Sequence, residues 1–515
     1  MNKKKTLARI SIILLCIAAI GANAPAQYRP DVSTARMFYN LVKNQIHPMG
    51  AVLEKLATLE KAMDEASQAG RSGEFRRLLA QATALLQGRE WTDELEYASS
   101  LVLRGEEICL DSGRPAVFRL AQIFAPRLGF KGTPTVRVAL HKRVLTLQGF
   151  QWGDKILDVP TAGGVSRDLL DAPYRIELEA KSVPDGTYIL RAEVFDQDKP
   201  VGAAGCTVDL RSGLAPRLAA IETELGKISG FDDRRPDVLY PLEFIRSVNR
   251  GKRQIGNFPV AERLAAAESV LASLKAGRDP LAGKTGDMER HYRLEGADEI
   301  LPYRVYVPTK YDGRTAYPLI IALHGLGGDE SNFFDGYNKV LPPLAEARGY
   351  LVAVPSGFGP DGFYGMVVPG SSTDPGTLRK LEYSEKDVLQ VLARMRKDYV
   401  VDASRIYLMG HSMGAVGTWH LGAKYPDIWA ALAPFAGFGV PATVAAMKHI
   451  PEIVVHGSAD ALLPVAFSQA MVAEMKRLGV EHKYIEVAGG DHNNIVSPNF
   501  AAVLDFFDAH RKKKP

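Results

Sequence analysis

The stretch Leu408-Met409-Gly410-His411-Ser412-Met413-Gly414-Ala415 constrains this chain more than any other. The β-branched and aromatic run Arg405-Ile406-Tyr407 precedes it, and Val416-Gly417-Thr418-Trp419-His420-Leu421, which reads as helix, follows. Strand, Gly-x-Ser-x-Gly, helix is an order that takes the backbone through a tight, strained turn. Glycine is needed on both sides of the serine because a Cβ there would collide with neighbouring backbone. The turn then lifts the serine hydroxyl clear of the sheet edge. A serine so placed, Ser412, is a candidate nucleophile.

The surrounding sequence supplies the sheet that such a turn requires. Apolar runs at 303–307, 319–323, 351–354, 406–409, 430–435, 453–455 and 484–487 read as strands, and 386–395, 465–478 and 500–510 as helices. The runs at 319–323 and 453–455 are apolar on both faces, as central parallel strands must be. This alternation predicts an α/β domain over 287–515 with a doubly wound, mostly parallel sheet and its active loops at the strand carboxyl ends.

A chain of 515 residues is too long for a single core. Residues 1–26 have the three-part layout of a secretory signal peptide: Lys3, Lys4, Lys5 and Arg9, an apolar run at 10–20, then Ala22-Asn23-Ala24-Pro25-Ala26. Cleavage is expected after Ala26, giving an exported protein, periplasmic or secreted. The apolar run is short for a bilayer span, so no membrane association is expected after cleavage. Those four cations equal the whole formal net charge of +4, which leaves the mature chain near neutral and argues against nucleic acid as a partner.

Residues 27–113 read as a helical segment, with Leu41, Ile46, Leu53, Leu56, Leu59 and Met63 on one stripe and Phe75, Leu78, Leu79, Leu85 and Leu86 on another. At 114–212 the period shortens, and turn signals such as Pro184-Asp185-Gly186 predict a small antiparallel β-sandwich. Its Pro-Asp-Gly-Thr-Tyr stretch is similar to hairpins of immunoglobulin-like bacterial modules. Residues 213–286 return to helical spacing and end in a linker. Their helices are expected to share a core with the amino-terminal ones. Cys109 and Cys206 fall in segments assigned to different domains, so free thiols are expected.

Three further motifs fall at carboxyl ends of predicted strands. Leu323-His324-Gly325-Leu326-Gly327-Gly328-Asp329 is a Gly-rich loop whose backbone can approach a reacting carbonyl, and Leu326 N–H would pair with Met413 N–H as an oxyanion hole. His456-Gly457-Ser458-Ala459-Asp460 and Gly489-Gly490-Asp491-His492 complete an order of nucleophile, acid and base: Ser412, Asp460, His492. Serine is a poor nucleophile until a base takes its proton, and histidine titrates in the range for that task. Asp460 would hold the imidazole tautomer and stabilise the imidazolium. Asp402, Asp427 and Asp491 compete for the acid role, but none follows a buried strand in the same way. His324 and His411 read as supports of backbone geometry, and His420, His449 and His456 as structural. No histidine cluster has metal-ligand spacing, so neither metal nor cofactor is expected. Phe333, Tyr364 and Met366 are candidates for a substrate pocket; generic hydrophobic cover is the other reading of their loops.

The Leu-His-Gly-Leu-Gly-Gly, Gly-His-Ser-Met-Gly and His-Gly-Ser-Ala-Asp-Ala-Leu-Leu-Pro motifs resemble those of the α/β-hydrolases. The branch is the one that contains phospholipase/carboxylesterases, feruloyl esterases and polyhydroxybutyrate depolymerase-like enzymes. The catalytic domain of prolyl-oligopeptidase-type peptidases is similar. The resemblance covers the carboxy-terminal half only, and Ala415 stands where many relatives carry a further glycine. It implies Ser412, Asp460 and His492 as the triad and Leu326 and Met413 as oxyanion donors. It also implies a serine hydrolase acting through an acyl-enzyme on small-molecule or polysaccharide-linked esters, feruloyl or acetyl esters among them. Two other readings stay open: a serine peptidase of the prolyl-oligopeptidase type, and a non-catalytic glycan-binding or scaffold protein.

Overall fold

Helices Val32–Ile46, Ala51–Gln68 and Ser72–Leu86 each bury one stripe, and Tyr39, Leu56, Met63, Phe75 and Leu79 meet in a common core. They open the first of two units of a computed structural model that describes residues 32–146, 149–251, 259–368 and 373–512. The expected signal peptide lies outside those residues. The first unit takes in the chain up to Ile228 together with Pro241–Leu271, and the second Ser229–Tyr240 together with Ala272 onward.

A further helix, Asp93–Ser100, starts where the Thr92 hydroxyl accepts from Leu95 N–H. Strands follow sooner than expected: β1 (Leu101–Gly105) and β2 (Cys109–Asp111) lie inside the segment read as helical to 113. Leu101, Val102 and Leu103 are buried in succession, which erases the alternation that marks a half-exposed strand. The remaining strands are β3 (Ala116–Gln122), β4 (Thr135–Thr146), β5 (Gly149–Val159), β6 (Tyr174–Leu178), β7 (Gly186–Asp196) and β8 (Lys199–Arg211). They form a three-stranded sheet, β1-β3-β6, and a five-stranded one, β2-β8-β7-β4-β5, in which β2 runs parallel to β8.

Cys109 on β2 and Cys206 on β8 therefore lie on adjacent strands of one sheet, not in different domains. Both are free and buried, and burial pushes the Cys109 thiol up. Among the described residues, the core of the three leading helices holds none from the later helices Leu214–Gly226, Arg235–Asn249 and Val260–Lys275. Asn249 turns to β2, its Oδ1 accepting from Ile108 N–H and Cys109 N–H at 3.0 and 2.9 Å.

The second unit is built on eight strands: β9 (Gly286–Leu294), β10 (Glu299–Val307), β11 (Tyr317–Leu323), β12 (Leu351–Pro355), β13 (Val401–His411), β14 (Ala431–Phe435), β15 (Glu452–Gly457) and β16 (His482–Val487). Their spatial order is β16-β15-β14-β13-β11-β12-β10-β9. All neighbours are parallel except at β10, which is antiparallel to both β12 and β9. Alternate residues of one strand feed two cores. Leu319, Ile321 and Leu323 face one with Val388, Trp419 and Met471, while Ile320 and Ala322 face the other with Leu341, Phe500 and Leu504. Helices on both faces account for strands that read as continuous apolar runs. This is the doubly wound α/β-hydrolase fold. Strand β9 is hidden in the sequence because it buries Arg290 and His291, residues that seldom mark a strand core.

Candidate active site

The turn after β13 has the strain its sequence requires. Ser412 sits at φ 57°, ψ −116°, between the strand ending at His411 and the helix Met413–Lys424. A Cβ on Gly410 would lie 2.2 Å from Gly414 O, and one on Gly414 would lie 1.9 Å from Leu323 O. Neither position admits any other residue without moving the sheet. Ser412 N–H donates to Phe435 O at 2.9 Å, which ties the turn to β14. As the first residue of its helix, Met413 has an N–H without an intrahelical acceptor. Among the described residues, Leu326 N–H also donates to no other backbone group. The glycines of its loop let the backbone sit close, since Gly325 packs on Ser412 with a virtual Cβ–Cβ distance of 3.4 Å.

Three side chains from three strand ends meet in one hydrogen-bonded line. His492 Nε2 accepts from Ser412 Oγ at 2.9 Å, and His492 Nδ1–H donates to Asp460 Oδ2 at 2.7 Å. That assignment follows from the partners, since a carboxylate can only accept. Asp460 Oδ1 accepts from Leu462 N–H and Leu463 N–H at 2.8 and 2.9 Å. Burial alone would raise the Asp460 carboxyl, but hydrogen bonds from His456 and His492 and the His492 charge outweigh it and hold it well below the usual carboxylate range. It is an anion fixed at the buried end of the line.

Two further histidines hold this arrangement. His456, fully buried, brings Nε2–H to Asp460 Oδ2 at 3.2 Å and to Leu463 O at 3.0 Å, while its Nδ1 accepts from Ser468 Oγ at 2.7 Å. Read from sequence as merely structural, His456 is in direct contact with the acid. The signal for it was its place at the end of an apolar strand, four residues before Asp460. His411 donates Nε2–H to the His492 carbonyl at 2.8 Å and accepts from Tyr337 OH at Nδ1, also at 2.8 Å. Burial, reinforced by the nearby His492, lowers its pKa to about 3, so it stays neutral and keeps that tautomer. His324, the other predicted backbone support, donates Nε2–H to Ser356 O at 2.8 Å.

Two of the three competing acids, Asp402 and Asp491, are engaged elsewhere, and the Asp427 backbone carbonyl accepts from Lys512 Nζ. Asp402 accepts from Ser404 and Arg405, and Asp491 accepts from the N–H groups of Asn493 and Asn494. Of the pocket candidates, Phe333 is fully buried among Tyr337 and Phe500, and Tyr364 is fully buried with its OH donating to His324 O at 3.0 Å. Both rings are core, because the sheet has helices and loops on both faces at these positions; neither is presented to a substrate. Met366 is half-buried. Behind the loop after β12 lies Asp387, which sequence reasoning missed. It accepts from Gly357 N–H at 2.6 Å and Tyr292 OH at 2.5 Å, and burial pushes its pKa up to about 6 against those bonds. Among the described residues, no group of three or more His, Cys, Asp and Glu is placed to share a metal ion.

Residues 380–511 match the family described as Phospholipase/Carboxylesterase. The chain is similar to a bifunctional acetylxylan esterase/xylanase of Neocallimastix patriciarum, 28% identical over 31% of this chain and 21% of that one. It is also similar to feruloyl esterase B of Neurospora crassa, 31% identical over 26% of this chain and 42% of that one. The chain thus spans well under two thirds of the length of these relatives. Among solved structures, a thermostable esterase matches 80% of this chain and all of its own at 18% identity and a TM-score of 0.38. A ferulic acid esterase from Anaeromyces mucronatus matches 42% of this chain and 87% of its own at 19% identity and a TM-score of 0.36.

Proposed function

We propose that the carboxy-terminal unit is a serine hydrolase of carboxylic esters, with Ser412 as nucleophile, His492 as general base and acid, and Asp460 as the anion that orients it. The observation that carries this reading is the unbroken line Ser412 Oγ, His492 Nε2, His492 Nδ1, Asp460 Oδ2, at 2.9 and 2.7 Å. Ser412 Oγ attacks the ester carbonyl as His492 Nε2 takes its proton, and Asp460 stabilises the imidazolium. The oxygen that gains charge lies between Leu326 N–H and Met413 N–H, each such donor being worth about 10²–10³ in rate. His492 then protonates the leaving alcohol. A water, deprotonated by the same nitrogen, releases the acid from the acyl-enzyme.

Feruloyl or acetyl esters on polysaccharide are the substrate class we favour, because the similar proteins named above carry those activities in their names. Export is favoured by the layout of residues 1–26. Among the described residues, no helix is long and apolar enough to cross a membrane.

The test is an assay of the full chain on p-nitrophenyl esters, methyl ferulate, acetylated xylan and aminoacyl p-nitroanilides, with Ser412→Ala alongside. Ester turnover lost by about 10⁵-fold or more in the variant is the expected result. Turnover that survives the substitution overturns the triad. Anilide cleavage lost in the variant moves the protein to the peptidases.

A further inference from the structure

The loop after β12 is strained along its length. Phe358, Phe363 and Tyr364 take left-handed φ values of 50°, 44° and 50°, and Gly357, Gly359 and Gly365 share that region. Left-handed backbone is costly at any residue other than glycine, so it persists only where neighbours over-determine it.

One face of the helix Pro375–Asp398 supplies those neighbours. Lys380, Ser384 and Asp387 are spaced four and three residues apart, which stacks them on one side of the helix. Lys380 Nζ donates to Asp361 Oδ2 at 2.8 Å, and Ser384 Oγ accepts from Tyr364 N–H at 3.1 Å. Asp387 Oδ2 accepts from Gly357 N–H at 2.6 Å and from Phe358 N–H at 3.3 Å, while its Oδ1 is held by Tyr292 OH from β9. Ser384 and Asp387 are fully buried. A buried polar group is costly unless its bonds are made, and backbone N–H groups of the strained loop make them here. A Cβ on Gly362 would lie 2.4 Å from Ser384 Oγ, so the loop is pressed against the helix.

The same loop is bonded to the segment that carries Leu326, the proposed oxyanion donor. Pro360 O accepts from the N–H of Gly327, the next residue, at 2.8 Å. Ser356 O accepts from His324 Nε2–H at 2.8 Å, and Tyr364 OH donates to His324 O at 3.0 Å. Gly357 packs on that imidazole, since a Cβ there would lie 2.9 Å from His324 Nε2. Leu326 is thus bracketed by two residues whose positions depend on the loop, and the loop is held by the helix.

We propose that Asp387 is a positioning residue for ester hydrolysis: by fixing the backbone of Gly357 and Phe358 it sets, through the strained loop, where Leu326 N–H stands relative to Ser412. This rests on the esterase reading. Asp387 acts through backbone and not on the reacting atoms. An oxyanion donor is worth about 10²–10³ in rate when it meets the developing charge, and a displacement of about 1 Å costs up to about 10²-fold. Because the oxyanion exists only beyond the ground state, the loss falls on kcat and not on KM.

The experiment uses the full chain with Asp387→Ala, Asp387→Asn and Tyr364→Phe. It measures kcat and KM on p-nitrophenyl acetate, inhibition by a trifluoromethyl ketone, and amide hydrogen exchange of the peptides spanning 324–330 and 356–366. Ser412 Oγ bonds to the ketone carbon, its proton passes to His492, and the carbonyl oxygen becomes an oxyanion at the same donors. Asp387→Ala is expected to lower kcat by about 10-fold or more with KM within about 3-fold. The inhibition constant should rise by about the factor that kcat/KM falls, and exchange should quicken in both peptides. Asparagine keeps an acceptor for Gly357 N–H and offers a donor to Tyr292 OH, so Asp387→Asn should return kcat to within about 3-fold of the parent. Tyr364→Phe cuts the bond to His324 O with Asp387 in place, and should lower kcat by about 3-fold and quicken exchange at 324–330. If Asp387→Ala does not fold, Tyr364→Phe decides on the same readouts. A parent-like kcat, a change in KM alone, no rescue by asparagine, or exchange that quickens at 356–366 but not at 324–330 overturns the proposal and leaves the esterase reading standing. If the parent cleaves no ester, the esterase reading fails and exchange alone decides: quickening at 324–330 supports the coupling, and unchanged exchange there overturns it.

Discussion

Two of the buried histidines that face carboxylates in the carboxy-terminal unit, His291 and His492, are wired differently. At the edge strand β9, both ring nitrogens of His291 meet acids, Asp237 at 3.0 Å and Glu289 at 2.9 Å, and its backbone N–H also donates to Asp237. At the strand carboxyl ends, His492 gives one nitrogen to Asp460 and keeps the other against the Ser412 hydroxyl. The first imidazole has no vertex left for chemistry and reads as a clamp on the segment that carries Asp237. The second has a vertex aimed at a side chain held in a strained turn. A carboxylate beside a buried histidine is thus no mark of catalysis by itself. The mark is the unspent nitrogen and the backbone strain next to it.

The comparison can be broken at several points. The largest effect is expected at Asp460→Asn, which leaves the shape but offers the wrong tautomer to His492. kcat on an activated ester should fall by about 10⁴-fold, with thermal stability read separately. At the other cluster, Asp237→Ala strips a buried cation pair of its acid and should cost about 3 kcal/mol in urea unfolding while leaving kcat/KM of the remaining folded protein near the parent value. A large loss of kcat there would erase the distinction drawn above.

The clamp also has a pH signature. Burial works to lower the His291 pKa, but its bonds to Asp237 and Glu289 prevail and raise it above the ordinary 6.5. A raised folded-state pKa contributes stability that is complete below the unfolded value and is lost as pH rises through the folded one. The melting temperature of the parent should therefore exceed that of His291→Gln by the most at mildly acid pH, and the gap should narrow on going alkaline. A gap that widens with pH would contradict the assignment.

Smaller effects sharpen the picture of what supports the proposed triad. His456→Gln removes a donor from Asp460, so kcat/KM should fall about 10-fold and the acid limb of its pH profile should move upward, as the Asp460 carboxyl loses one of the bonds that depress it. A uniform loss without that shift would make His456 a packing residue. Tyr337→Phe, which deprives His411 of one donor, should cost about 1 kcal/mol in activation or less.

Much of the second unit is legible in the sequence because its signals are local. Apolar runs such as 319–323 mark central strands, and Gly410 and Gly414 mark a turn that excludes Cβ atoms. Ser412, Asp460 and His492 can be singled out because each follows such a strand, and the structure brings them together. What was not legible depends on partners distant in sequence. β9 is obscured by Arg290 and His291, whose burial only makes sense once Asp237 and Asp398 are seen. Phe333 and Tyr364 look like pocket residues until helices and loops on both faces of the sheet cover them. β1 and β2 are masked because burial on both faces mimics the apolar density of the helices before them.

The short segment Ser229–Tyr240 groups with the carboxy-terminal unit although the chain on both sides of it, up to Ile228 and from Pro241 to Leu271, groups with the other. The polypeptide therefore passes from one unit to the other three times, and no single cut separates them. A gene fragment beginning at Gly286 would encode every strand of the eight-stranded sheet yet leave out Asp237, Asp233 and Arg234, the partners of Arg290, Lys397 and Asp398. Such a unit cannot be shuffled between proteins as a cassette. Its inheritance is bound to that of the helices that flank the inserted segment.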